Sequence, residues 1–313
     1  MFLLYPEFKD EIRQFLGKIA GFFGVQVLTY TLMDNHFHLM VHVRGKCTAD
    51  ERELLRRNRI LYGEEETRRL ARQWKHRQET RQMAPLKQDQ QRLRNRMDNI
   101  SMFMKQFKQF CSQRYNKLNQ RKGTLREGTF HSLIVDPERL PFTCAYVDMN
   151  AVRANLVESP EEYQWCGFAE AMGKSSCIDG RLDFRQGLAE MYQVFKCEIL
   201  GLELAIEHKK RFFCLGETLK DLPPEIWNTN KNPVEGADLP ARLFIRCRPG
   251  YLTRGCIIGS KPFAEREFRE NRTHIGSRRK TGARKIHGCS ELSDELYSLR
   301  DPRKEVISYP RRP

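Results

Sequence analysis

The chain has 313 residues, 30% of them charged, with a formal net charge of +15. That is enough for two modest domains with a real core, and the charge favours a polyanionic partner, most simply nucleic acid. No stretch approaches the length and apolarity of a membrane-spanning helix. The opening Met1-Phe2-Leu3-Leu4-Tyr5, closed at once by Pro6, is too short an apolar run for a signal peptide, so the expectation is a cytoplasmic protein without a membrane partner. Ten cysteines with no CxxC pair argue against a zinc knuckle and for reduced thiols.

Residues 7–23 read as an amphipathic helix, with Phe8, Ile12, Phe15, Leu16, Ile19, Phe22 and Phe23 at helical spacing and Gly24 as its stop. Val25 to Leu32 reads as a strand, Asp34-Asn35 as a turn and His36 to Val43 as a second strand, together a hairpin. Residues 49–97 are dense in Arg, Glu and Gln and predict an inserted pair of helices with wide solvated faces. From Met97 to about Tyr115 an apolar stripe returns. Lys105, Lys108, Arg114, Lys117, Arg121 and Lys122 accompany it, with no acidic residue between 101 and 122. A helix with one apolar and one basic face suits contact with phosphates, although an ordinary solvated face has the same composition.

Thr129 to Val135 predicts a strand. A helix then starts between Pro137 and Pro141 and runs to about Leu156, carrying Tyr146 and Asn150. Residues 158–165 read as a loop, and the Gly, Ser and Lys after Gly173 mark a boundary. Beyond it, residues 181–219 read as helical, 222–240 as irregular and 262–271 as a helical turn. A basic stretch follows with Arg278, Arg279 and Lys280, and then a loosely ordered end. The expected organisation is a domain over 1–172, with the insertion at about 49–97, and a mainly helical, basic extension over 173–313.

The chemistry concentrates at Met33-Asp34-Asn35-His36-Phe37-His38-Leu39-Met40-Val41. Alternate strand residues share a face, so His36 and His38 project together and can chelate one divalent metal. Tyr146 and Asn150, four apart on a helix, also share a face. If that helix packs under the hairpin, Asn150 adds an oxygen ligand, with Mg or Mn as the fitting ion. Tyr146 then stands one turn away as a nucleophile toward a phosphodiester. Each member has a plainer reading: a His pair can be structural, and a helical Tyr is usually core with its hydroxyl tied to a neighbour.

These residues resemble a known family. Met33 to Val41 is similar to the HUH motif (His, hydrophobic, His) of the single-tyrosine transposases. Ala145-Tyr146-Val147-Asp148-Met149-Asn150-Ala151-Val152-Arg153-Ala154-Asn155-Leu156-Val157, with Pro160 and Tyr163-Gln164-Trp165, is similar to their nucleophile helix and the segment after it. The likeness is greatest to the REP-associated tyrosine transposases and covers roughly 7–170. Ile258-Gly259-Ser260-Lys261-Pro262-Phe263 to Lys285 also looks like the extension of longer relatives.

The resemblance implies an α+β, ferredoxin-like antiparallel sheet with packed helices, the histidines on its central sheet. It implies that His36, His38 and Asn150 hold the metal. It implies that Tyr146 attacks single-stranded DNA near a hairpin, leaving a 5′-phosphotyrosine and a free 3′-OH, with a homodimer as the plausible assembly. Three features depart from the pattern. The first strand of the sheet is missing before the helix at 7–23, Ala151 replaces a proline, and Arg126 replaces a tryptophan.

Three activities follow as expectations. One is a metal-dependent DNA strand transferase. Another is a domesticated or decayed protein that binds single-stranded or hairpin DNA without cutting it. The last is a histidine–metal phosphodiesterase that uses water and leaves Tyr146 idle. Tyr115, in Gln113-Arg114-Tyr115-Asn116, is the rival nucleophile, disfavoured because only Tyr146 has an asparagine at the +4 position. Arg153 and the basic residues of 105–122 and 278–280 are the expected DNA contacts.

Overall fold

A computed structural model describes residues 5–43, 47–97, 99–123, 130–171, 255–272, 282–286 and 296–299. Helix α1 (Pro6–Phe23) begins with proline in its first turn, where the missing N–H is no loss, and buries Phe8, Ile12, Leu16, Ile19, Phe22 and Phe23. Gly24, at φ 70°, closes it in the left-handed conformation that glycine adopts without a Cβ penalty, and its N–H donates to Ala20 O. Strand β1 (Val25–Leu32) pairs antiparallel with β2 (Phe37–Val43), from Val25↔Val43 to Leu32↔Phe37. The two-residue Asp34-Asn35 loop joins them, with Met33 N–H donating to His36 O at 2.9 Å.

Residues 49–97 form the expected helical pair, α2 (Glu51–Glu79) and α3 (Met83–Arg96). α2 bends at Gly63, whose φ of 84° is non-helical. Leu54, Trp74 and Leu86 are the pair's contribution to the main core. Helix α4 (Ile100–Leu118) starts at Asn99, whose side chain accepts from Met102 N–H, and buries Phe103, Met104, Phe107, Cys111 and Tyr115.

Then come β3 (Ile134–Val135), α5 (Leu140–Asp148), α6 (Asn150–Arg153) and α7 (Gly167–Ala171). Beyond residue 255 lie β4 (Ile257–Gly259), α8 (Lys261–Glu270), β5 (Arg284–Lys285) and β6 (Tyr297–Leu299).

The hairpin is the middle layer. Side chains alternate across a strand, and β2 follows this: Phe37 meets Phe107 of α4 on one face (ring centroids 5.0 Å), while His38 meets Tyr146 of α5 on the other (5.8 Å). The face toward α1 and α4 carries the main apolar core. The face toward α5 belongs to a second cluster that includes Met33, Phe142, Tyr146, Val147, Phe168 and Ile258.

The α+β class is as expected, but the sheet differs from a single antiparallel one. Among the described residues, β1 and β2 form a two-stranded sheet, and β3-β4-β6-β5 form a separate mixed one with β3 and β4 parallel. The outer edge of β1 meets a turn rather than a strand: Thr31 bridges to Cys166, and Leu32 N–H donates to Trp165 O at 3.0 Å. Of the strand expected over 129–135, the described residues 130–135 form a strand only at 134–135, and Thr129 lies outside the described residues.

The C-terminal residues that are described add three short strands and one helix, and Ile258 joins the Tyr146 cluster. The expected helix at 181–219, the irregular 222–240 and Arg126 lie outside the described residues. No helix among the described residues is long and apolar enough to cross a membrane.

Candidate functional site

The site sits where the hairpin turn meets α5 and α6. His36 is exposed at the end of the turn and His38 is half-buried on β2, opposite Thr31. Their rings lie edge to face with centroids 4.9 Å apart. His36 Nδ1 is 2.6 Å from Asn35 Oδ1; with the proton on Nδ1, the other nitrogen keeps its lone pair. Burial of the His38 imidazole, with positive charge from His36 and Arg153, pushes its pKa down to about 4. It is therefore neutral near pH 7 and able to donate its lone pair.

Tyr146 packs edge-on against His38, and Arg153 lies with its Cζ 5.2 Å from the phenol ring centroid. Tyr146 is only 3% exposed. Burial raises its phenol pKa above the ordinary value, while the charge and hydrogen bond of Arg153 pull it down. α5 is fixed to β1 by two buried bonds: Thr29 Oγ1 donates to Asp148 Oδ1 at 2.5 Å, and Thr31 Oγ1 donates to Val147 O at 2.6 Å. These clamps hold the tyrosine against the histidine strand.

The helix expected to run unbroken through Tyr146 and Asn150 ends at Asp148 and restarts at Asn150. The Asn150 amide bridges the break. Its Nδ2 donates to Tyr146 O (2.9 Å) and Val147 O (3.0 Å), and its Oδ1 accepts from Arg153 at 3.1 Å. A mid-helix asparagine implied a task, and bonding the Tyr146 and Val147 carbonyls at the break is one. α6 then closes in a Schellman turn. Asn155 takes φ 55°, its N–H reaches Val152 O, and Leu156 N–H reaches Ala151 O.

The structure thus brings His36, His38, Tyr146, Arg153 and Asn150 into one run of contacts. Among the described residues no three His, Cys, Asp or Glu side chains converge on a metal position. The two imidazoles fit a borderline divalent ion. Asn150 Oδ1 spends one lone pair on Arg153 and retains the other.

The expected DNA contacts divide. Lys105, Lys117, Arg121 and Lys122 are exposed and Lys108 is half-buried. Arg114 is committed: its Nε and NH2 fork onto Glu11 of α1, the second bond at 2.5 Å, which also lowers the pKa of Glu11. The acid-free run of α4 did not reveal this neighbour from α1. Arg121 lies with its Cζ 6.0 Å from the Tyr115 ring centroid. Arg278, Arg279 and Lys280 lie outside the described residues. Tyr115 is 6% exposed and packs near Phe8 in the α1–α4 layer, on the other face of the hairpin from the histidines.

One supporting group escaped the sequence reading. Lys9 is 3% exposed. Its Nζ binds Asp34 Oδ1 at 2.6 Å and donates to Tyr163 Oη at 3.0 Å, and it stands 4.4 Å from the Trp165 ring centroid. Tyr163 Oη donates in turn to Leu32 O at 2.7 Å. The segment Tyr163-Gln164-Trp165 therefore cages a lysine that fixes the turn next to His36. The signal was available, since Lys9 and Arg13 fall at helical spacing from Ile12 and Leu16, on the buried stripe of α1. No family model, no curated protein and no solved structure matches this chain.

Proposed function

We propose that the chain cleaves and rejoins single-stranded DNA by a metal-dependent strand transfer, with Tyr146 as the nucleophile and a 5′-phosphotyrosine intermediate. One observation carries the reading: His38 of the pair packs directly on Tyr146 from the facing element, with Arg153 beside it. In the reaction the Tyr146 phenol gives up its proton to solvent, its oxygen bonds to phosphorus as the P–O3′ bond breaks, and the freed 3′-oxygen takes a proton from solvent. A divalent metal, Mg or Mn, held by His36, His38 and Asn150, would supply polarisation of the phosphodiester. Arg153 stabilises negative charge near the phenol and orients Asn150. A transposase-like role on hairpin DNA, a ferredoxin-like core and a homodimer belong to the same proposal. The order helix, hairpin, helix over α1, β1, β2 and α4, with both helices on one face, supports that core.

A second reading is favoured by the burial of Tyr146: a single-stranded or hairpin DNA-binding protein that does not cut. Labelled hairpin DNA with a single-stranded flank, incubated with Mn²⁺ and run on a denaturing gel, tests both. The transferase gives a metal-dependent cleavage product that Tyr146→Phe abolishes, while the DNA affinity of the variant stays within about twofold, because phosphate contacts dominate binding. Binding without cleavage by the unsubstituted chain supports the second reading. Cleavage retained in Tyr146→Phe refutes the first.

A further inference from the structure

On the far face of the hairpin, α1, α3 and α4 leave a cleft of about 470 Å³, within the range of small-ligand sites. Phe15 and Phe110 line it as a stacked pair, ring centroids 3.8 Å apart and planes 9° from parallel. Both rings are half-buried. The described residues of the lining include Lys105, Arg96, Gln109 and Gln113, and none of them is acidic. Arg96 is held in place: it donates to Tyr62 Oη at 2.7 Å and lies with its Cζ 5.1 Å from the Phe22 ring centroid. Lys105 is exposed at the cleft.

We infer that this cleft is a docking subsite for a segment of single-stranded DNA, separate from the residues around Tyr146, and the inference rests on the DNA-binding part of the function proposed above. An apolar core needs neither the cations nor the amides gathered here, whereas a single strand uses all three. An aromatic surface stacks a base of any sequence. Glutamine amides offer both donors and acceptors to base edges. The two cations meet the backbone, and no described residue of the lining is an acid that would offset their charge, in a chain of net +15. Because Phe37 and His38 face opposite sides of β2, the cleft and Tyr146 lie on opposite faces of the hairpin. The cleft therefore holds a part of the strand away from the attacked phosphate.

The test uses the full chain and a 5′-labelled single-stranded oligonucleotide carrying 4-thiothymidine, with anisotropy for affinity and photocrosslinking followed by peptide mapping for position. Expected are crosslinks to the α1 or α4 peptides containing Phe15 or Phe110, and affinity about tenfold weaker for Phe110→Ala. Lys105→Glu, a change at an exposed position that leaves packing alone, should weaken binding severalfold and lower the slope of log affinity against log salt by about one or more. Crosslinks confined to other peptides, with Lys105→Glu binding as the unsubstituted chain does, overturn the cleft and leave the proposed function standing. A chain that binds no single-stranded DNA at all overturns both.

Discussion

His38 is the residue on which geometry and electrostatics bear most directly. Its imidazole holds a pKa of about 4 in the folded chain against an ordinary 6.5. The unfolded chain therefore binds more protons between those values, so this stability is complete above pH 6.5 and is lost as pH falls toward 4. The loss should be about 2–3 kcal/mol by pH 4.5. Urea unfolding at pH 7 and pH 4.5 should show it in the unsubstituted chain and not in His38→Gln; parallel losses in both would refute the assignment. Arg153 makes a second case. Its removal as Arg153→Ala takes away the cation that opposes the raised phenol pKa of Tyr146, and should slow cleavage by about tenfold or more. Arg153→Lys keeps the charge without the fork and should recover only part of that rate. At this scale the histidine pair and the tyrosine were legible because strand and helix periodicities place them. The commitment of Arg114 to Glu11 was not, because the partner lies about a hundred residues away.

Among elements, the local signals of the hairpin and α1 were strong. Gly24, Asp34-Asn35 and the apolar spacing all act within a few residues, and the boundaries follow them. The break between α5 and α6 was hidden because tertiary bonds drive it. Thr31 draws on the Val147 carbonyl, and the Asn150 amide satisfies what the interrupted helix leaves. Close approach makes two glycines diagnostic of this packing. A Cβ at Gly167 would stand 2.5 Å from Thr29 Oγ1 and 3.0 Å from Tyr30 N, and one at Gly259 would stand 2.4 Å from the Asp136 Cβ. Gly167→Ala and Gly259→Ala should each destabilise the fold by about 1–3 kcal/mol, read as a lower urea midpoint. Unchanged midpoints would mean that α7 does not pack on β1, or that β4 does not pack beside Asp136, as described. Lys9→Met should also cost about 1–3 kcal/mol, since it leaves Tyr163 and Asp34 without their cation.

For the whole molecule, charge was the most informative quantity and the least specific one. It pointed to a polyanion, but it did not distinguish exposed Lys105 and Lys117 from the neutralised Arg114. Binding to single-stranded DNA should fall steeply with salt; a flat dependence would contradict a phosphate-dominated contact. The division into two sheets was not legible either. Its strands β3 to β6 are two or three residues long, too short for a periodic pattern, and β3 pairs with β4 across more than a hundred residues. The core around Tyr146 is likewise built from distant segments, with Met33, Phe142 and Ile258 in one cluster.

The proposed function turns on a covalent bond between Tyr146 and DNA. The most direct measurement is mass spectrometry of the protease-digested product of the chain with labelled hairpin DNA and Mn²⁺. A nucleotide adduct on the peptide containing Tyr146, absent without the metal, is expected. An adduct on the Tyr115 peptide, or cleaved DNA with no protein adduct, would contradict it.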